Sequence, residues 1–67
     1  SKLFIWCQRK KLDLKFNLLS EEHKNGKWEY NIQVQINQQE YGLGKGSSKK
    51  VAEQNASKET FELLGEI

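Results

Sequence analysis

Lys49 and Lys50 stand where the first turn of a helix should carry carboxylates. The stretch Ser47-Ser48-Lys49-Lys50-Val51-Ala52-Glu53-Gln54 supplies a serine N-cap, and Val51, Ala52, Ala56 and Leu63 begin a helical apolar spacing. Unpaired N–H groups and the macrodipole make that end of a helix positive, so each cation there costs roughly a few tenths of a kcal/mol. Lys45 lies just upstream, and Glu59, Glu62 and Glu66 crowd the negative end. A local rule broken without a gain in folding marks a functional surface. Free N–H groups, a glycine-rich approach and three ammonium groups are chemistry suited to phosphate oxygens. A solvated lysine pair on an ordinary surface helix fits the same residues.

Other reactive groups are sparse. His23 stands alone in a polar stretch, and one histidine with one cysteine is too few soft ligands for structural zinc. Glu21-Glu22 beside His23 reads as solvated loop. Gly42-Leu43-Gly44-Lys45-Gly46-Ser47-Ser48 looks superficially like a nucleotide loop. A Walker loop needs Ser or Thr directly after Gly-Lys and a glycine five residues before that pair, but Gly46 follows Lys45 and Gln39 holds the earlier position. The dinucleotide fingerprint fails as well, with Ser47 where its third glycine belongs. The chain alone is therefore expected to be a binding module and not an enzyme, with no catalytic residue, metal or cofactor of its own.

The elements that position the lysines follow from periodicity. Residues 2–11 read as a short helix with Leu3, Trp6 and Cys7 inward. Leu14, Phe16 and Leu18 alternate with polar residues as a half-buried strand, and Ser20 to Lys27 reads as a polar loop containing the turn pair Asn25-Gly26. Trp28, Tyr30, Ile32, Val34 and Ile36 alternate with Glu29, Asn31, Gln33, Gln35 and Asn37, giving a strand with one apolar and one wet face. Asn37-Gln38-Gln39 turns into a short third strand where Tyr41 and Leu43 alternate with glycines. A last helix spans about Ser48 to Leu64, with Ala52, Ala56, Phe61 and Leu64 inward and Gly65 at C′. The order α-β-β-β-α predicts an α+β sandwich, two helices packed on one face of a three-stranded antiparallel sheet.

Sixty-seven residues make one domain, 1–67, with room for one small core. No apolar stretch approaches the roughly 20 residues of a membrane helix, so no membrane partner is expected. One cysteine permits no internal disulfide and fits a reducing, cytoplasmic compartment; Cys7 reads as a core residue. The net charge of +2 is segregated, +3 over residues 1–39, +2 over 40–50 and −3 over 51–67. A local basic stripe of this kind is what phosphates feel. The chain begins without methionine, almost directly in an apolar run, and reads as a piece of a longer protein.

From Tyr41 to Ala56 the sequence Tyr41-Gly42-Leu43-Gly44-Lys45-Gly46-Ser47-Ser48-Lys49-Lys50-Val51-Ala52-Glu53-Gln54-Asn55-Ala56 resembles the C-terminal half of a double-stranded RNA-binding domain. That family has a Gly-x-Gly approach, a Ser-Lys-Lys-x-Ala helix start and the same α-β-β-β-α order over the whole chain. Ala52-Glu53-Gln54, Trp6-Cys7-Gln8 and Phe16-Asn17-Leu18 are most similar to the C-terminal domain of the bacterial ribonuclease III family. The resemblance implies binding of double-stranded RNA at three regions. These are the first helix, through Ser1 and Gln8; the loop holding His23, Lys24, Asn25 and Lys27; and the second helix start, with Lys45, Ser48, Lys49 and Lys50. The family's usual Gln-Glu pair on the first helix is replaced by Phe4 and Ile5, and its Gly-Pro-x-His loop pattern is absent. The resemblance also implies a parent ribonuclease III, a double-strand-specific endonuclease of RNA processing. Its separate nuclease domain would use magnesium and form the homodimer. The alternatives are a protein-interaction or dimerisation domain of the same fold, or a double-stranded RNA-binding domain of a non-nuclease parent.

Overall fold

The alternation from Trp28 to Ile36 sets the sheet on which everything else packs. In the computed structural model, which describes residues 2–65, the elements are α1 (Lys2–Arg9), β1 (Leu14–Lys24), β2 (Lys27–Ile36), β3 (Gln39–Gly46) and α2 (Lys49–Leu64). Ser1 and Glu66, both named above, lie outside the described residues. The sheet is antiparallel in the order β1-β2-β3. Ile32, Val34 and Ile36 are buried under the helices, and the register places Leu18, Phe16 and Leu14 beside them on the same face. The opposite face is polar, and there Asn17 Nδ2 donates to Gln35 Oε1 at 2.9 Å.

α2 lies on β3 at unusually short range because β3 has no side chains to hold it off. A Cβ on Gly44 would run into the backbone of Ala52 and Ala56, and one on Gly42 would stand 2.6 Å from Ala56 O. The helix answers with small residues; Ala52, Ala56, Ser57 and Thr60 are its buried positions. Thr60 Oγ1 accepts from the Gly42 N–H at 3.0 Å and donates to Ala56 O at 2.8 Å, so its burial leaves no polar atom unpaired. α1 closes the core with Leu3 and Cys7, and Trp6 meets Phe61 of α2 edge to face, ring centroids 6.3 Å apart. Burial pushes the Cys7 thiol up, away from the reactive thiolate.

Two expectations change. α1 stops at Arg9, two residues early, where Lys11 takes φ 58° and the Leu12 N–H returns to Cys7 O at 2.8 Å. The polar segment from Ser20 is not a loop. β1 continues to Lys24, and only Asn25 and Gly26 turn, at φ 51° and 75°, as a type I′ hairpin requires. Ladder hydrogen bonds come from the backbone, so polar side chains do not end a strand, and a bulge between Leu18 and Ser20 resets the alternation. The third strand forms as read, and its glycines face the helix while Leu43 faces solvent. Of the apolar residues of α2, Val51 and Leu63 are exposed, because the close approach to β3 leaves the contact stripe to smaller side chains.

Candidate nucleic-acid interface

The start of α2 is built as its sequence implies. Ser48 caps it in extended backbone, its hydroxyl accepting from the Val51 N–H at 3.2 Å, while Lys49 and Lys50 are exposed. No acidic residue stands in the first turn and no basic one in the last. The positive end of the macrodipole and two ammonium groups therefore face solvent together. The lysines can turn toward an anion without breaking any contact of the core.

Two neighbours share this end of the molecule. The β2–β3 ladder ends at Tyr30↔Gly46, which brings the β1–β2 hairpin tip beside the segment that enters α2. Lys24, Asn25, Lys27, Trp28, Lys45 and Ser47 line one shallow hollow of about 520 Å³ there, together with Glu22 and Glu29. Lys24 Nζ pairs with Glu22 at 3.0 Å, and that hydrogen bond holds the ammonium firmly protonated. Lys45 pairs in register with Asn31, so its side chain leaves the open face of the sheet, apart from Lys49 and Lys50 on the helix. The three ammonium groups thus form a band around this end and not one cluster. Asn55 Nδ2 donates to Lys45 O at 2.6 Å and ties the end of β3 to α2.

On the other flank, α1 and α2 leave an open groove of about 1080 Å³. Phe4, Ile5, Phe16 and Phe61 form its apolar lining, and Lys2, Arg9, Lys50 and Lys58 contribute cations. Lys50 therefore belongs to both the helix start and the groove. Gln8 is exposed on α1 but lines neither hollow.

The expected residues thus fall on all five elements and one turn. Gln8 is on α1, His23 and Lys24 end β1, Asn25 is in the turn, Lys27 opens β2, Lys45 lies near the end of β3, and Ser48, Lys49 and Lys50 start α2. Sequence reasoning missed Lys2, Arg9 and Lys58, because only the packing of two helices side by side brings them to one groove. It also missed Asn55 as the tie to β3; an Asn mid-helix, a poor helix former, was the available signal. Among the described residues, no group of three or more His, Cys, Asp or Glu side chains is placed to hold a metal ion, and no helix is long and apolar enough to cross a membrane.

A family model described as "double-stranded RNA binding motif" matches residues 1–64. Two curated relatives are each called "Ribonuclease 3". That of Mesoplasma florum is 39% identical over 54 residues, 78% of this chain and 23% of the relative. That of Azobacteroides pseudotrichonymphae is 39% identical over 62 residues, 91% of this chain and 24% of the relative. The chain spans about a quarter of the length of these relatives.

Proposed function

The chain belongs to the double-stranded RNA binding motif family, and from that premise we propose that it grips duplex RNA by shape at the lysine-bearing end of the fold. One observation carries the assignment of residues: Lys49 and Lys50, exposed at a capped helix start that holds no carboxylate. A-form RNA hides its base edges in a deep, narrow major groove, so proteins meet its phosphates and 2′-hydroxyls instead. Lys49 and Lys50, backed by the free N–H groups of α2, hold the phosphates that flank the major groove. Gln8 on α1 and Asn25 with His23, Lys24 and Lys27 at the hairpin tip reach 2′-hydroxyls and phosphates in the minor grooves on either side. Lys45 and Ser48 complete the band, the serine by fixing the helix start.

The longer parent is proposed to be a ribonuclease III, a reading supported by the two relatives of that name. Cleavage, its magnesium ions and the homodimer would then belong to a nuclease domain outside this chain, working in the cytoplasm. The acids described here do not fit that metal, since no three of them converge. The present chain would raise affinity and align the duplex.

A second reading has one observation in its favour. Phe4 and Ile5 are 54% and 50% exposed on α1, as a dimerisation surface would require and an RNA-facing helix would not. Titration of a 16-base-pair RNA duplex, and of the same sequence as DNA, at two salt concentrations decides between them. Shape reading gives tight RNA binding that falls steeply with salt, and much weaker DNA binding. No response to RNA would favour the protein-interaction reading, and equal affinity for DNA would reduce the site to a generic basic patch.

A further inference from the structure

At the hairpin tip His23, assigned above to the duplex contacts, lies against a second ring that those contacts do not use. His23 and Trp28 are directly opposed across β1 and β2, with ring centroids 4.7 Å apart and planes tilted by 33°. Trp28 in turn stacks on Tyr30, 6.1 Å away at 21°. Tyr30 is half-buried against the core, whereas Trp28 is 47% exposed and His23 is exposed. The row of rings therefore runs from the core out to solvent, on a hairpin stiffened by its two-residue turn. Cross-strand packing of two rings accounts for His23 and Trp28 lying together. It does not account for leaving a tryptophan half exposed beside lysines and next to a helix start that suits phosphate.

We propose that the His23–Trp28 stack takes one unpaired nucleotide of RNA. The proposal rests on the reading of this end as the duplex-binding surface. Bases within a duplex are already stacked and present no free face, so an aromatic side chain can engage only a base that lies beyond the pairs or bulges from them. Sequence-tolerant stacking of this kind, next to cations that follow the backbone, is how proteins hold single strands. By register Glu22, Lys27, Glu29 and Lys45 stand on the open face of the sheet, whereas the rings stand on the helix-bearing face, where Gly46, paired with Tyr30, leads into the start of α2 and its phosphate-suited N–H groups. Rings beside a helix start that suits phosphate match a whole nucleotide better than a phosphate alone.

The test compares three RNAs that share one 16-base-pair duplex: blunt, with three adenosines unpaired at each strand end, and with the same extensions made abasic. The abasic RNA supplies the extra phosphates without the bases. Fluorescence anisotropy should show the adenosine-bearing RNA binding about fivefold or more tighter than the other two. Trp28→Leu, confirmed folded by circular dichroism, should bring the three RNAs to equal affinity, and a preference for the adenosine extensions that survives in it overturns the inference. Equal binding of all three by the unaltered chain overturns this inference and leaves duplex binding standing, as does a preference that abasic extensions reproduce. No binding of any of the three overturns the duplex reading itself.

Discussion

Lys49 and Lys50 sit badly for the helix they begin. Nothing in the fold repays them, since both are exposed and neither takes part in the core. Replacing both with alanine removes unfavourable charge from the positive end of the macrodipole, so the melting temperature should hold or rise slightly. Affinity for duplex RNA should fall, and the slope of log affinity against log salt should shrink by about one unit at most per lysine. Binding isotherms at three salt concentrations, beside a thermal melt, measure both effects. Unchanged affinity would remove this helix start from the interface. The pair was legible in the sequence because it violates a rule whose cost is known. Lys45 was legible only as a nearby charge. That it leaves the opposite face depends on its pairing with Asn31, which residue types do not reveal.

The elements were legible wherever period decides. β2 alternates without interruption, and the structure buries Ile32, Val34 and Ile36. β1 was legible only to Leu18, because beyond it a bulge shifts the alternation and polar side chains hide a continuing ladder. The glycines of β3 were legible as positions in a strand, but residue types alone do not show that Gly42 and Gly44 are where α2 touches the sheet. This contact can be tested against a glycine needed for another reason. Gly26, at φ 75°, has nothing within 4 Å of an added Cβ, so Gly26→Ala should cost only the left-handed penalty of about 1–2 kcal/mol. Gly44→Ala must push a helix off the sheet, which exceeds the roughly 1–3 kcal/mol of ordinary overpacking. For a domain of this size each kcal/mol moves the melting temperature by about 4–8 °C. Thermal melts should therefore place Gly44→Ala well below Gly26→Ala, or already unfolded at room temperature. Equal melting temperatures would mean that α2 does not rest on β3 as described.

At the scale of the whole molecule the charges are sorted along the fold. The first turn of α2 is basic, while Glu59 and Glu62 lie toward its far end. A helix of 16 residues at the usual rise separates Lys49 and Lys50 from those acids by roughly 15–20 Å. A polyanion held at the lysines thus meets Glu53 one turn into this helix but stays clear of the acids toward its far end. Phosphodiester hydrolysis with metal ions needs carboxylates gathered at the scissile phosphate. Asp13 and Glu40 sit near the opposite end of the strands, with Glu40 paired to Gln35 and Asp13 joined to Asn37 through the turn. Glu22 and Glu29 do lie near the hairpin tip, but Glu22 is engaged with Lys24 and no third acid joins the two. Labelled duplex RNA incubated with this chain and magnesium should therefore stay intact on a denaturing gel, at protein concentrations that saturate binding. Cleavage that rises with added protein and disappears in Glu22→Gln would place a metal site at the hairpin tip. Cleavage lost in Glu62→Gln would mean that the duplex lies along α2 and not across its start.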